Sequence, residues 1–296
     1  MGWRKQGAAF LAGGASVLAY APFELFPVAA VSLGVLFWLL GPGAPASLCA
    51  DSRGRRARGG FGIGFAWGLG AMLAGVSWLY VALNRFGGMP MPLAALAVLL
   101  FCAFMGLFAG FSGALFGALR QGRAGRDALL FAAAWLLGEW VRGWAFTGFP
   151  WLASGYSQSP PSPLAGFAPV FGVFGVGGLL AAVAALAVAA IGTRNWRPAL
   201  VAVLILAAGA GLRGVAWTAP VGEPVRVALL QPNIEQSLKW RPEMLQRWLE
   251  VNLSMLRDNP AQLVVLPETT IPLLIDHLPP DYREALARTA AGHGGD

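Results

Sequence analysis

Seven runs of apolar residues, at about 7–21, 26–40, 61–82, 91–119, 128–147, 164–192 and 198–217, constrain this chain more than any other feature in it. A helix rises about 1.5 Å per residue, so each of the five later runs spans roughly the 30 Å of a bilayer's hydrocarbon. The run 91–119 is long enough to tilt or protrude. The chain is 57% hydrophobic and 12% charged, against about 25% charged in an ordinary soluble domain. Residues 1–217 therefore read as an α-helical polytopic membrane bundle of about seven segments. Arg4 and Lys5 give the first run the outline of a signal peptide. A second run follows within a few residues, so the two short, Pro-flanked segments read instead as a hairpin or two tilted spans.

Charge orients the bundle. Residues 1–217 hold 14 Lys and Arg against four acids (Glu24, Asp51, Asp127, Glu139), whereas residues 218–296 hold seven against ten. The net charge of +7 thus belongs to the membrane half. Loop charge explains it without nucleic acid. Alternate connections carry Arg4 and Lys5, then Arg53, Arg55, Arg56 and Arg58, then Arg120, Arg123 and Arg126, then Arg194 and Arg197; the intervening ones carry only Arg85. This bias expects a cytoplasmic N-terminus. An odd number of spans then delivers residue 218 onward to the opposite face, the periplasm of a bacterial inner membrane. Cys49 and Cys102 make neither a disulfide framework nor a metal site. His277 and His293 read as solvated loop residues. No metal and no cofactor is implied.

Small residues recur at four-residue spacing: Gly60, Gly64 and Gly68, then Gly106/Gly110 and Gly113/Gly117. Such rows let helix backbones approach closely. No phosphate-binding glycine loop and no G-x-S-x-G elbow occurs. Glu139 and Arg142 stand out inside an apolar run, because ionisable residues at membrane depth are costly. At i,i+3 they read either as a mutually neutralising pair or as a functional site. The loop 147–163 is aromatic, turn-rich and uncharged. It reads equally as an interfacial aromatic belt or as part of a path for an apolar ligand.

Past Trp217 the pattern changes. Val225–Leu230 reads as a strand, 242–258 as an amphipathic helix, Leu263–Leu266 as a buried strand, and Asp281–Ala291 as a second helix stopped at Gly292. Strand, helix, strand, helix opens an α/β layered domain. Pro267 ends the second strand, since proline donates no ladder hydrogen bond. Glu268 follows directly, where a rigidly held side chain can still reach a pocket. Between apolar neighbours it is a candidate general base; the plainer reading is a surface glutamate.

Three stretches carry a resemblance. Val264–Pro272, VVLPETTIP, is similar to the strand-then-glutamate motif of the nitrilase superfamily, and more narrowly to that of the apolipoprotein N-acyltransferase family. Leu229–Trp240, LLQPNIEQSLKW, resembles that family's Q-x-N-I-x-Q-x-x-K-W segment. Glu139–Gln158, EWVRGWAFTGFPWLASGYSQ, resembles its EW-x-RGW-x-x-TGFPW…GYSQ stretch. The resemblance implies a membrane domain over 1–217 and the beginning of a nitrilase-like carbon-nitrogen hydrolase domain over 218–296, an α/β layered sandwich. It implies ping-pong acyl transfer: a cysteine thiolate takes an acyl chain from a phospholipid donor, and the N-terminal amine of a diacylated apolipoprotein acceptor attacks the thioester. The implied partners are those two substrates and the lipid bilayer. Glu268 matches the family's catalytic glutamate, and Trp240 a tryptophan near its acyl pocket. Arg142 and Trp151 join the candidate substrate-binding residues.

The family's catalytic lysine and cysteine have no counterpart. Lys5 lies at the N-terminus, and Lys239 precedes Glu268, whereas the family's lysine follows it. Cys49 and Cys102 belong to the membrane half. Only 79 residues run from Thr218 to Asp296, too few for a layered sandwich, so two strands and two helices leave apolar sheet surface uncovered. The expectation is the N-terminal part of the enzyme (a fragment, a frameshifted frame or half of a split enzyme), inactive alone. The rival is a non-enzymatic multi-span protein, a transporter or channel subunit, with a short soluble tail.

Overall fold

The computed structural model describes residues 2–42 and 53–292. The chain divides into two units, Met1–Trp217 and Thr218–Asp296. The first is helical throughout. Its principal helices are α1 (Gly2–Ala15), α2 (Pro27–Leu39), α3 (Arg53–Gly75), α4 (Trp78–Val81), α5 (Met91–Leu119), α6 (Ala124–Arg142), α7 (Ala168–Thr193) and α8 (Trp196–Leu212).

The glycine rows set how closely the helices pack. A Cβ on Gly60 would strike the carbonyl of Gly113, one on Gly64 the carbonyl of Ala109, and one on Gly68 would come within 2.9 Å of Gly106 Cα. α3 and α5 therefore touch backbone to backbone along the rows singled out in the sequence. α1 meets α3 the same way, through Gly13 against Trp67 and Gly70 against Phe10. Ser32 ties a third helix in: its hydroxyl donates to the Ala12 carbonyl at 2.6 Å and accepts from Trp67 Nε1 at 2.9 Å. Phe37, Phe116 and Phe131 then pack edge to face in the centre, with Trp135 against Trp67 at 5.0 Å between ring centroids. Such ring pairs contribute about 0.5–1.5 kcal/mol beyond the area they bury.

Every apolar run contains a helix, but the helices are less uniform than the runs. Among the described residues two are long and apolar enough to cross a membrane, Met91–Leu119 and Pro163–Thr193. A third qualifies if Arg53–Gly75 and Trp78–Phe86, bent by 52°, form one span. Pro27–Leu39 and Trp196–Leu212 are shorter apolar helices. α6 stops at Arg142 rather than running to 147, and the chain beyond it takes positive φ at Phe146, Thr147 and Gly148 (53°, 77° and 80°). α7 is interrupted at Gly172, whose φ of 63° and ψ of −174° suit a glycine alone.

The second unit is a βαβ crossover. β1 (Val227–Leu229) pairs in parallel with β2 (Leu263–Val265), with Val227 opposite Leu263 and Leu229 opposite Val265. α9 (Leu245–Asp258) makes the connection that parallel strands require. α10 (Pro280–Gly292) follows. Trp248, Leu249 and Leu256 of α9 are buried, as are Leu230, Ala261 and Tyr282. The expectation of a buried strand at Leu263–Leu266 needs correction. Leu263 and Val265 remain 50% and 43% exposed, on a face of the two-stranded sheet that is left uncovered among the described residues. Val227 and Leu229 share that open face.

Candidate active-site turn and buried ion pair

In the second unit Glu268 sits in a tight turn directly after β2. The Thr270 amide donates back to the Pro267 carbonyl at 3.2 Å, and Thr269 takes a φ of 50°. Positive φ at the third turn position is uncommon for a β-branched residue, so other groups must hold the turn. Two do. Lys239 Nζ donates to the Glu268 carbonyl at 3.1 Å and to Thr269 Oγ1 at 2.7 Å. Asn252 is almost wholly buried. Its Nδ2 donates to the Thr270 carbonyl at 3.1 Å, and its Oδ1 accepts from Thr270 Oγ1 at 2.9 Å. One helical turn earlier, Trp248 Nε1 donates to the Leu238 carbonyl at 3.3 Å. Trp248 and Asn252 stand at i,i+4 on one face of α9. That face therefore fixes both the Lys-Trp segment and the glutamate turn. Between them lies a cleft of about 190 Å³ lined by Gln231, Asn233, Lys239, Glu268 and Thr270, with Pro232, Ile234 and Pro267. A solvent-facing carboxylate on a pinned turn beside a cation can accept a proton from a group entering that cleft.

In the first unit Glu139 and Arg142 form an ion pair, Arg142 Nη2 to Glu139 Oε1 at 3.6 Å, with side chains 6% and 5% exposed. The rest of their polar capacity goes to the following loop. Glu139 accepts from the Ser154 amide at 2.8 Å and its hydroxyl at 2.7 Å, and Trp135 Nε1 donates to the same hydroxyl at 3.1 Å. Arg142 Nη1 donates to the carbonyls of Trp151 at 2.7 Å and Phe149 at 3.3 Å. The pair folds the 148–154 segment, with its positive-φ residues Gly148 and Leu152, back onto α6.

Residues 12–186 match the family model described as the apolipoprotein N-acyltransferase N-terminal domain. The chain belongs to the apolipoprotein N-acyltransferase family. Curated relatives with that name include one from Nitrosomonas europaea, 42% identical over 98% of this chain and 56% of its own length. One from Chromobacterium violaceum is 40% identical over 97% of this chain and 54% of its own. One from Pseudomonas syringae pv. tomato is 38% identical over 99% and 57%. The chain thus spans about half the length of the curated relatives it matches. With its apolar helices, this N-acyltransferase family member is a membrane protein.

Of the candidate residues in this family member, Glu268 lines the cleft. Trp240 is 61% exposed and is not among the residues lining it. Arg142 and Trp151 meet through the latter's carbonyl. Cys102 is fully buried in α5 among Met72, Val76, Val98 and Met105; Cys49 and His293 lie outside the described residues. His277 is exposed in a short turn after the glutamate segment. Among the described residues no group of three His, Cys, Asp or Glu is placed to hold a metal ion. Three residues escaped the sequence reading. Lys239 was assigned to its own segment rather than to the glutamate turn. Asn252 carried a signal, a polar residue four positions after Trp248 on an otherwise apolar helix face. Ser154 carried none, because its partner lies 15 residues earlier on another element.

Proposed function

We propose that this chain supplies the membrane domain and the general base of a lipoprotein N-acyltransferase. The reaction is transfer of a fatty acyl chain from a phospholipid to the N-terminal amine of a diacylated apolipoprotein, by way of a cysteine thioester. The observation that carries the reading is the Glu268 turn, pinned by Lys239 and Asn252 on a chain of this family. Glu268 takes the proton from the attacking thiol and gives it to the departing lysophospholipid alkoxide; it then takes one from the attacking amine and returns it to the released thiolate. Lys239 orients the turn through its carbonyl and hydroxyl contacts. The thiolate and the oxyanion-stabilising lysine have no counterpart in residues 218–296, so the 296-residue chain alone is inactive. The open face of the β1–β2 sheet supports an α/β sandwich to which further layers add. Seven membrane segments, a cytoplasmic N-terminus and a periplasmic second unit complete the proposal, supported by the distribution of Arg and Lys. Family membership favours this reading over a transporter or channel subunit.

The test is Glu268→Gln in the protein isolated from its native membranes, assayed with a labelled phospholipid and a diacylated lipopeptide. Transfer should fall by about 10²–10⁴-fold with membrane insertion unchanged. Undiminished transfer overturns the role of Glu268. A thioester formed by the isolated 296-residue chain overturns its assignment as inactive.

A further inference from the structure

The first unit also holds a pocket of about 630 Å³ at the end of the bundle where the segments around Tyr20, Trp78 and Pro150–Pro161 converge. Its walls are aromatic. Trp78 and Trp151 have ring centroids 5.5 Å apart, tilted by 55°, and Tyr156 and Tyr20 join them. The Tyr20 hydroxyl donates to the Leu152 carbonyl at 2.9 Å and so fixes one wall. Glu24 is the one charged residue among those lining the pocket. A turn holds it there: its amide donates to the Tyr20 carbonyl at 3.0 Å, the Phe26 amide donates to its carbonyl at 2.9 Å, and its own φ is 55°. Among the described residues no hydrogen bond or ion pair engages its carboxylate.

An exposed carboxylate that lines one pocket with four aromatic side chains has a specific chemistry. Ring quadrupoles attract a cation, the carboxylate neutralises it, and an anion is repelled by both. A purely apolar ligand would need the rings but not the carboxylate, whose desolvation would oppose binding. The volume matches sites that take small molecules rather than single ions. We propose that this pocket binds the primary ammonium group of an amphiphile. The inference deepens the acyl-transfer reading and rests on it for the source of the ammonium, either a phospholipid headgroup or the free N-terminus of the acceptor lipoprotein.

The experiment is native mass spectrometry of the 296-residue chain in detergent. It is titrated separately with phosphatidylethanolamine, with phosphatidylglycerol of the same acyl chains, and with a diacylated lipopeptide whose α-amine is free or acetylated. An ammonium ligand should bind about tenfold or more tightly than its uncharged or anionic counterpart. Glu24→Gln should abolish that preference and leave phosphatidylglycerol binding unchanged. Trp78→Leu, which keeps an apolar wall but removes a π face, should weaken it several-fold. A preference confined to phosphatidylethanolamine assigns the site to the donor lipid, and one confined to the free-amine lipopeptide assigns it to the acceptor; either supports the site. If phosphatidylethanolamine binds no better than phosphatidylglycerol and the free amine no better than its acetylated form, the proposal is overturned. A preference that survives Glu24→Gln in a chain that still unfolds at the same temperature also overturns it. The readout is binding without turnover, so its failure is distinct from failure of the acyl-transfer reading.

Discussion

At the scale of single residues, this molecule shows how polar groups persist in apolar surroundings and where one does not. Burying an ion pair costs several kcal/mol per charge unless further hydrogen bonds satisfy both partners. Glu139 and Arg142 meet that condition, since two donors from Ser154 and two loop carbonyls take up the remaining capacity. Tyr282 does not. Its hydroxyl is buried in the second unit without a hydrogen-bond partner, and burial raises its pKa above the ordinary tyrosine value of 10.0. The folded state therefore holds the phenolic proton more tightly than the unfolded chain does. Stability is therefore insensitive to this group below pH 10 and falls as pH rises from 10 through the higher folded value. Tyr282→Phe should stabilise the unit by about 1 kcal/mol at neutral pH, because it removes an unsatisfied buried group. It should also flatten the alkaline loss of stability. Urea unfolding of both forms at neutral pH and above pH 10 checks this; equal alkaline losses would contradict it.

At the scale of elements, the clearest prediction concerns the α3–α5 contact. A Cβ at Gly64 collides with the backbone carbonyl of Ala109, which cannot rotate aside, whereas one at Gly59 meets nothing within 4 Å. Gly64→Val should force the helices apart and lower the thermal midpoint in detergent by several degrees, as expected for a packing loss of about 1–3 kcal/mol. Gly59→Ala should leave it unchanged or raise it slightly, since alanine is the better helix former. Equal midpoints for the two variants would mean that α3 and α5 do not pack in this way. The four-residue glycine spacing made this contact legible in the sequence, as did the order of strands and helices after Trp217 and the position of Glu268 one turn beyond a strand. What stayed hidden depends on contacts between distant residues. That α6 would stop at Arg142 follows from the loop's bonds to Glu139 and Arg142, and local hydropathy does not record them. That β2 would be half-exposed follows from how many layers cover it, which a strand's own residues do not reveal. The link from Lys239 to the glutamate turn spans 30 residues and needed the fold itself.

At the scale of the whole first unit, charge and polar contacts divide its two ends. Lys5 donates to the Leu39 carbonyl at 3.5 Å, Arg56 Nε to the Gly117 carbonyl at 3.2 Å, and Arg120 to the Gly41 carbonyl, so three cations gather where α2 and α5 finish and α3 begins. At the other end lie Tyr20, Trp78 and the 148–161 segment, with Glu24; the basic residues that reach it, Arg142 and Arg213, bond its backbone carbonyls at Phe149, Trp151 and Pro161. Cations in short connections are retained on the cytoplasmic side during insertion, so the Arg-rich end should face the cytoplasm and the aromatic end the periplasm. Single-cysteine labelling tests this in a chain carrying Cys49→Ser and Cys102→Ala. In spheroplasts a membrane-impermeant maleimide should label Glu223→Cys directly, and should reach Arg123→Cys only after lysis. The reverse pattern would invert the molecule and put the Glu268 turn on the cytoplasmic side. Labelling of both sites before lysis would mean that an even number of segments separates them, and the seven-segment reading would fail while the helix packing described above stood.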